Sequence, residues 1–339
     1  MKNFRQSWFS CKCRVLLLLL LLSSPGFGQI PIPVIFDTDM GNDIDDALAL
    51  AMLHSLSSRG ECRLIGVTLT NASPAAVTYV RMINRFYGRG ALPVGSAMRH
   101  VKDGDHDNYM SAALRTAPAA YRAAGSDVSA ESSVILLRRL LAGTTEKVTI
   151  VQVGFSTNLS ALLESPADSV SPMTGMELVR AKVALLSAMA GNFADLKPEY
   201  NVKLDVASAR TVFGHWPTPV IFSGFEIGRD LVYPARSIER DFGYTDWHPV
   251  AVSYRAYSKM PYDRPTWDLT AALVAVRPGH GYFGMYASGT VEVEADGTTR
   301  FRAGEGDRQY LMLEPAQRAR ALEALTLLSS EPPRTEPLR

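Results

Sequence analysis

Phe36-Asp37-Thr38-Asp39-Met40-Gly41-Asn42-Asp43-Ile44-Asp45-Asp46-Ala47 places five aspartates within ten residues. An apolar run, Pro33-Val34-Ile35-Phe36, precedes it, and Ala47 to Leu56 follows, with Leu48, Met52 and Leu56 recurring at helical spacing. The stretch reads as the loop of a strand-to-helix connection. Like charge packed this densely is costly unless a cation neutralises it. Every donor is an oxygen, so the cation is a hard one. Calcium fits best and magnesium second, whereas zinc calls for His or Cys, and neither is close by. Gly41 permits a sharp turn between the acidic groups, and Asp45 and Asp46 fall where a helix macrodipole favours carboxylates. An ion with an open position makes water more acidic, an adjacent aspartate can take the proton, and carboxylates stabilise an oxocarbenium-like sugar. The cluster thus suits hydrolysis at a sugar carbon. Taken alone it also suits phosphoester chemistry, and a structural calcium site or a solvated acidic loop are the plainer readings. An EF-hand fits poorly, because its closing Glu is absent and the preceding element is a strand.

Outward from the loop, strands and helices alternate. Leu64 to Leu69, Val94, Val148 to Val153, Val183 to Met189 and Val220 to Ser223 read as strands. Ala75 to Tyr87, Ser132 to Leu141 and a segment starting at Leu159 to Leu163 read as helices. This order predicts an α/β fold: an open, mostly parallel sheet with helices on both faces and a site at the strand carboxyl ends. Residues 281–302 read as a β-hairpin appended to the core, turning at Asp296-Gly297, and Ala316 to Leu328 as a last helix.

Lys2, Arg5, Lys12 and Arg14 precede the apolar run Val15 to Leu22, and small residues follow, which is the composition of a secretory signal peptide. The expected division is a signal peptide over 1–28, one catalytic domain over 29–330 and a frayed tail over 331–339. That implies a secreted or periplasmic protein with no stable membrane anchor after cleavage; an uncleaved anchor is the alternative. Loss of residues 1–28 leaves 31 basic against 34 acidic residues, a net charge of −3, with no basic stripe for nucleic acid. Only Cys62 then remains, and its apolar flanks read as a buried, inert thiol.

The motifs resemble those of the inosine–uridine-preferring nucleoside hydrolases. That family's Asp-x-Asp, Gly and Asp-Asp-Ala correspond to Asp37-Thr38-Asp39, Gly41 and Asp45-Asp46-Ala47, with the loop two residues longer than the commonest version. Four further blocks follow in order: Val67 to Asn71, Val153 to Leu159, Met189 through Asn192 and Glu199 to Asn201, and Trp267 to Ala271. The resemblance implies a Rossmann-like nucleoside hydrolase fold and hydrolysis of ribonucleosides to ribose and free base. It implies Ca2+ as cofactor, a small nucleoside as the partner molecule, and a homo-oligomer. By the same resemblance, Asp39 is the metal-bound general base and Asn71 holds the attacking water. Asp46 and Asp268 supply side-chain ligands and Thr157 a carbonyl. Asp45, Met189, Asn192, Glu199 and Asn201 bind the ribose, and Asp37 braces the loop. Where inosine–uridine-type members have a His before the late aspartate, this chain has Trp267, which cannot donate a catalytic proton but can stack on a base, as in purine-preferring relatives. Trp267 as a core residue is the alternative.

Tyr262, Arg264, Trp247 and His248 are open candidates for base contacts or a proton. His106, in Asp103-Gly104-Asp105-His106-Asp107, reads as a surface loop or a lid, and Glu226 as a pocket residue or a helix cap. Ser156 lacks a nearby His or Asp for a triad. Two other functions stand beside the leading one: hydrolysis of a different N-riboside, and calcium-dependent nucleoside or sugar binding without turnover.

Overall fold

The strand expected at Pro33–Phe36 runs from Ile32 to Thr38, and its side chains alternate between two cores. Val34 and Phe36 pack on one face of the sheet and Ile35 on the other. Both faces are covered, so the strand reads as a continuous apolar run rather than an alternating one. The structure, a computed structural model, describes residues 30–97, 108–122 and 130–334. The expected signal peptide, the His106 loop and the extreme C-terminus lie outside the described residues. Among those residues, no helix is long and apolar enough to cross a membrane.

The strands are β1 (Ile32–Thr38), β2 (Cys62–Leu69), β3 (Val94–Ser96), β4 (Glu131–Ser132), β5 (Val148–Gln152), β6 (Val183–Met189) and β7 (Val220–Ser223). After them come β8 (Val232–Tyr233), β9 (Arg264–Pro265), β10 (Gly284–Met285), β11 (Gly289–Val293), β12 (Thr299–Ala303) and β13 (Arg308–Met312). The main sheet has the order β12-β11-β13-β7-β6-β5-β1-β2-β3-β4, with β10 pairing β13. From β7 to β4 every pairing is parallel, as is β13 with β7; β11 and β12 are antiparallel. This is the open, mostly parallel α/β sheet that the alternation predicts.

Two features differ from the sequence reading. The helix after the acidic loop spans Asp45–Ser58 and is buried on nearly every side, not along one stripe. Helices Trp267–Val276 and Pro315–Ser330 pack against it, covering the flank that would otherwise face water. The hairpin is present, with Thr290 opposite Arg302 and Glu292 opposite Arg300, but it is continuous with the main sheet through β13. No apolar run marks that strand in the sequence, because it opens on a charge. Arg308 is buried, and its guanidinium donates to the carbonyls of Phe213 at 3.0 Å and Trp216 at 2.7 Å.

Candidate active site

β1 and β5 are neighbours from which the chain winds in opposite directions, through β2 to β4 on one side and β6 to β7 on the other. A crevice opens at the carboxyl ends of such strands. Asp39 follows β1 there, Val153 follows β5, and Met189 ends β6. All three line a cavity of about 320 Å³, together with Asn42, Asp43, Asp45, Asp46, Glu199, Tyr200, Asn201, Phe225, Tyr257, Arg264, Trp267 and Asp268.

The acidic loop is held from several sides. Gly41 takes φ +117°, a conformation that side chains other than hydrogen disfavour. The Tyr109 hydroxyl accepts from Gly41 N at 2.8 Å and donates to the Asp43 carbonyl at 2.8 Å. Asn71 donates from Nδ2 to the carbonyls of Asp39 at 3.2 Å and Met40 at 3.0 Å, and accepts from Ser73 N at 3.1 Å. Its contacts are with loop backbone, and it does not line the cavity. A Cβ at Gly154 would come within 2.5 Å of Asp39 N, so only glycine lets the β5 end approach the loop so closely. Thr38 donates its hydroxyl to Asp46 Oδ1. Asp37 points elsewhere: it accepts from Thr68 Oγ1 at 2.6 Å and Asn158 Nδ2 at 2.7 Å, and burial pushes its carboxyl up to about 7.

Asp45, Asp46 and Asp268 each offer an oxygen, and those atoms lie within 4.8 Å of one another. All three are buried. Burial first, and repulsion from neighbouring carboxylates second, push each of them well above the ordinary carboxylate range. Asp39 is among the charges that raise Asp46 and Asp268. The only cation lining the cavity among the described residues, Arg264, is already paired with Asp43. An oxygen-only set of crowded, desolvated carboxylates fits a hard divalent cation. Asp45, expected at the ribose, belongs to this close group as well as to the cavity lining. Asp39, expected among the ligands, stands beside it.

Around that acidic floor the walls differ. Glu199 caps helix Tyr200–Leu204 and accepts from the backbone N–H of Asn201 at 2.9 Å, Gly191 at 3.2 Å and Val202 at 3.3 Å. Burial raises it to about 7 against the opposing pull of those donors. Asn201 donates from Nδ2 to the carbonyls of Val153 at 2.8 Å and Met189 at 3.3 Å. On the other wall Trp267 and Phe225 stack, with ring centroids 5.4 Å apart, and Trp267 Nε1 donates to the Phe225 carbonyl at 2.9 Å. Asn42 donates to Asp39 Oδ2 at 3.1 Å and accepts from the Tyr200 hydroxyl at 3.4 Å, tying floor to wall.

Besides Asn71, two residues expected at the site are placed away from the cavity. Thr157 lines a separate hollow and donates its hydroxyl to Asp205 at 2.6 Å; Val153, at the β5 end, lines the acidic cavity in its stead. Asn192 is buried and accepts from Asp195 N at 2.9 Å within its own turn, while its backbone N–H is held by Thr299 of the hairpin at 3.0 Å. Of the open candidates only Arg264 lines the cavity. His248 is buried beside Tyr87 and lowered to about 3 by burial, and the Trp247 ring stacks on Tyr121. The Tyr262 hydroxyl donates to the Tyr254 carbonyl, and Glu226 accepts from Phe193 N at 3.3 Å. The sequence assigns no role to Asn42 and Tyr200, although both lie inside the quoted motif blocks, nor to Phe225 and Tyr257, which no motif marks.

Residues 34–322 match the family model of the inosine-uridine preferring nucleoside hydrolases. No curated protein sequence matches the chain. Among solved structures, a plant nucleoside hydrolase superposes with a TM-score of 0.67 at 20% identity, covering 89% of this chain and 100% of that one. A purine-preferring ribonucleoside hydrolase from Gardnerella vaginalis gives 0.67 at 18% identity, over 88% and 98% of the two chains. An inosine-uridine preferring nucleoside hydrolase from Bacillus anthracis gives 0.66 at 15% identity, over 88% and 99%. At these identities the likeness establishes the shared fold.

Proposed function

The chain belongs to the inosine-uridine preferring nucleoside hydrolase family, and from that premise we propose that it hydrolyses ribonucleosides to ribose and free base in the Asp39–Asp268 cavity. It is a hydrolase of N-glycosyl bonds by membership; the substrate class, the ion and the residue roles are our reading. One observation carries it: a single cavity with a carboxylate floor suited to a sugar diol and a hard cation, and an aromatic wall suited to a base.

Asp45, Asp46 and Asp268 would hold the ion, with calcium preferred for its tolerance of many oxygens. The Val153 carbonyl is the backbone oxygen nearest in role to the one expected from Thr157. When bound, the ion would neutralise the carboxylates and acidify water beside them. Asp39 then takes the proton of the attacking water, its carboxylate fixed by Asn42. Asn71 acts by fixing the loop backbone at the carbonyls of Asp39 and Met40. Glu199 presents its carboxylate to the ribose hydroxyls, which donate to it. Asn201, with its amide N–H groups spent on backbone carbonyls, offers Oδ1 as a further acceptor. As C1′ gains positive character, the surrounding carboxylates stabilise it. Trp267 and Phe225 stack the departing base, which favours purines.

The test is ribose release by the purified protein from inosine, adenosine, guanosine, uridine and cytidine, with calcium and with a chelator. Release that the chelator stops, and that Asp39→Asn reduces by about 1,000-fold or more while leaving the fold intact, is the expected result. Full activity in Asp39→Asn would remove it from the role of base. No release from any nucleoside by the wild type would remove the substrate class.

A further inference from the structure

Arg264 is the one cation lining the cavity among the described residues. Asp43 holds two of its guanidinium nitrogens, with Nε 3.0 Å from Oδ1 and a terminal nitrogen on Oδ2. So held, its Cζ stands 5.0 Å from the Tyr257 ring centroid and 5.4 Å from that of Trp267. No hydrogen bond from Nη1 exists among the described residues. On the aromatic wall the Trp267 N–H is spent on the Phe225 carbonyl, and the Tyr257 hydroxyl is hydrogen-bonded with Asp43. Among the described residues no histidine lines the cavity. The reaction nevertheless leaves an electron pair on the base nitrogen, and that charge needs a partner.

Resting on the nucleoside hydrolysis proposed above, we propose that Arg264 is the group that stabilises the leaving base. Its Nη1 donates to an acceptor on the base edge while Asp43, a positioning residue, fixes the guanidinium against the aromatic wall. In the reaction the water oxygen bonds to C1′ and its proton passes to Asp39. The C1′–N bond breaks with its electron pair going to the base, and the base takes a proton from solvent on release. Arg264 gives up none of its protons. Burial works against its charge, but the hydrogen bonds and charge of Asp43 outweigh this and hold it above its ordinary range. A charged donor makes a stronger hydrogen bond than a neutral one, and most of all to an acceptor that is gaining negative charge.

The test compares inosine with 4-nitrophenyl β-D-ribofuranoside, whose leaving phenolate spreads its charge over the nitro group and needs little help. Both are assayed with the calcium-loaded protein as wild type, Arg264→Gln, Arg264→Lys and Asp43→Asn. The expected result is a fall in kcat of about 100-fold on inosine for Arg264→Gln, little change on the nitrophenyl riboside, and a smaller loss with the same substrate pattern for Asp43→Asn. Equal losses on both substrates would show that the ion pair only holds the loop, and an unchanged rate on inosine would exclude Arg264 from the reaction; either result overturns the inference. Should Arg264→Gln fail to fold, Arg264→Lys gives the same reading, because an ammonium cannot span both oxygens of Asp43. A wild type inactive on both ribosides overturns the nucleoside reading itself, a failure distinct from that of Arg264.

Discussion

Asp37 and Asp39 are two residues apart and chemically alike, yet their surroundings divide their roles. Asp37 ends among Thr68 and Asn158, whereas Asp39 lines the cavity beside the carboxylates of the following helix. Trp267 shows the same dependence on surroundings. In sequence it is a wall residue or a core residue; in the structure its N–H is tied to the Phe225 carbonyl and its ring stacks on Phe225 at the cavity edge. Stacking on a base is worth about 1–3 kcal/mol on replacement by alanine, roughly 5- to 150-fold in kcat/KM. Trp267→Ala should therefore lower kcat/KM for inosine within that range and for uridine by less, since a pyrimidine offers a smaller face. Equal losses on the two nucleosides would assign Trp267 to packing alone.

The helix Asp45–Ser58 begins in the site and ends in the core. Its first residues, Asp45 and Asp46, serve the cavity. Further along, His54 is fully buried, stacked on Tyr87, with Nε2 2.9 Å from Asn84 Oδ1 and Nδ1 without a partner among the described residues. Burial lowers it from 6.5 to about 3. Below pH 6.5 the unfolded chain binds this proton and the folded one does not, so its contribution is complete above 6.5 and lost progressively toward 3. Asp37 and Glu199, raised to about 7, bind protons preferentially in the folded state and act in the opposite sense. The wild-type slope mixes these effects, and a single substitution separates them. Between pH 6 and 4.5, His54→Gln should lose about 2 kcal/mol less unfolding free energy than the wild type, at about 1.4 kcal/mol per proton per pH unit. Parallel urea titrations of the two proteins at each pH check this, and identical slopes would mean that His54 is protonated in the fold.

At the scale of the whole molecule, three buried carboxylates from two distant segments meet at the switch point of the sheet. Folding must hold them together against their repulsion, so an ion that binds only the folded state should stabilise it. At 100 times its dissociation constant a ligand adds about 2.7 kcal/mol, which for a domain of this size raises Tm by about 5 °C. Calcium should produce such a rise in thermal unfolding and a chelator should reverse it. Magnesium should give less, and Asp268→Asn should respond little to any of them. A melting curve indifferent to calcium and magnesium alike would mean that the carboxylates are held as a protonated cluster.

The sequence by itself determined the sheet class and the position of the acidic loop that lines the cavity. Strands such as Val183–Met189 declare themselves by mostly apolar runs, and Asp39, Asp45 and Asp46 by dense charge after a strand and at a helix start, whereas Asp268 entered through the family resemblance. These are local signals, set by propensity and by the cost of crowding like charges, and a linear reading recovers them. Only the tertiary structure decided what depends on distant partners. It put Val153 rather than Thr157 at the cavity, turned Asn71 onto loop backbone, and joined Asp43 to Arg264 across 221 positions of chain. It also set β13, which opens on the buried Arg308, into the parallel sheet. Which way a side chain faces is fixed by what packs against it, and that packing forms only once the chain has folded.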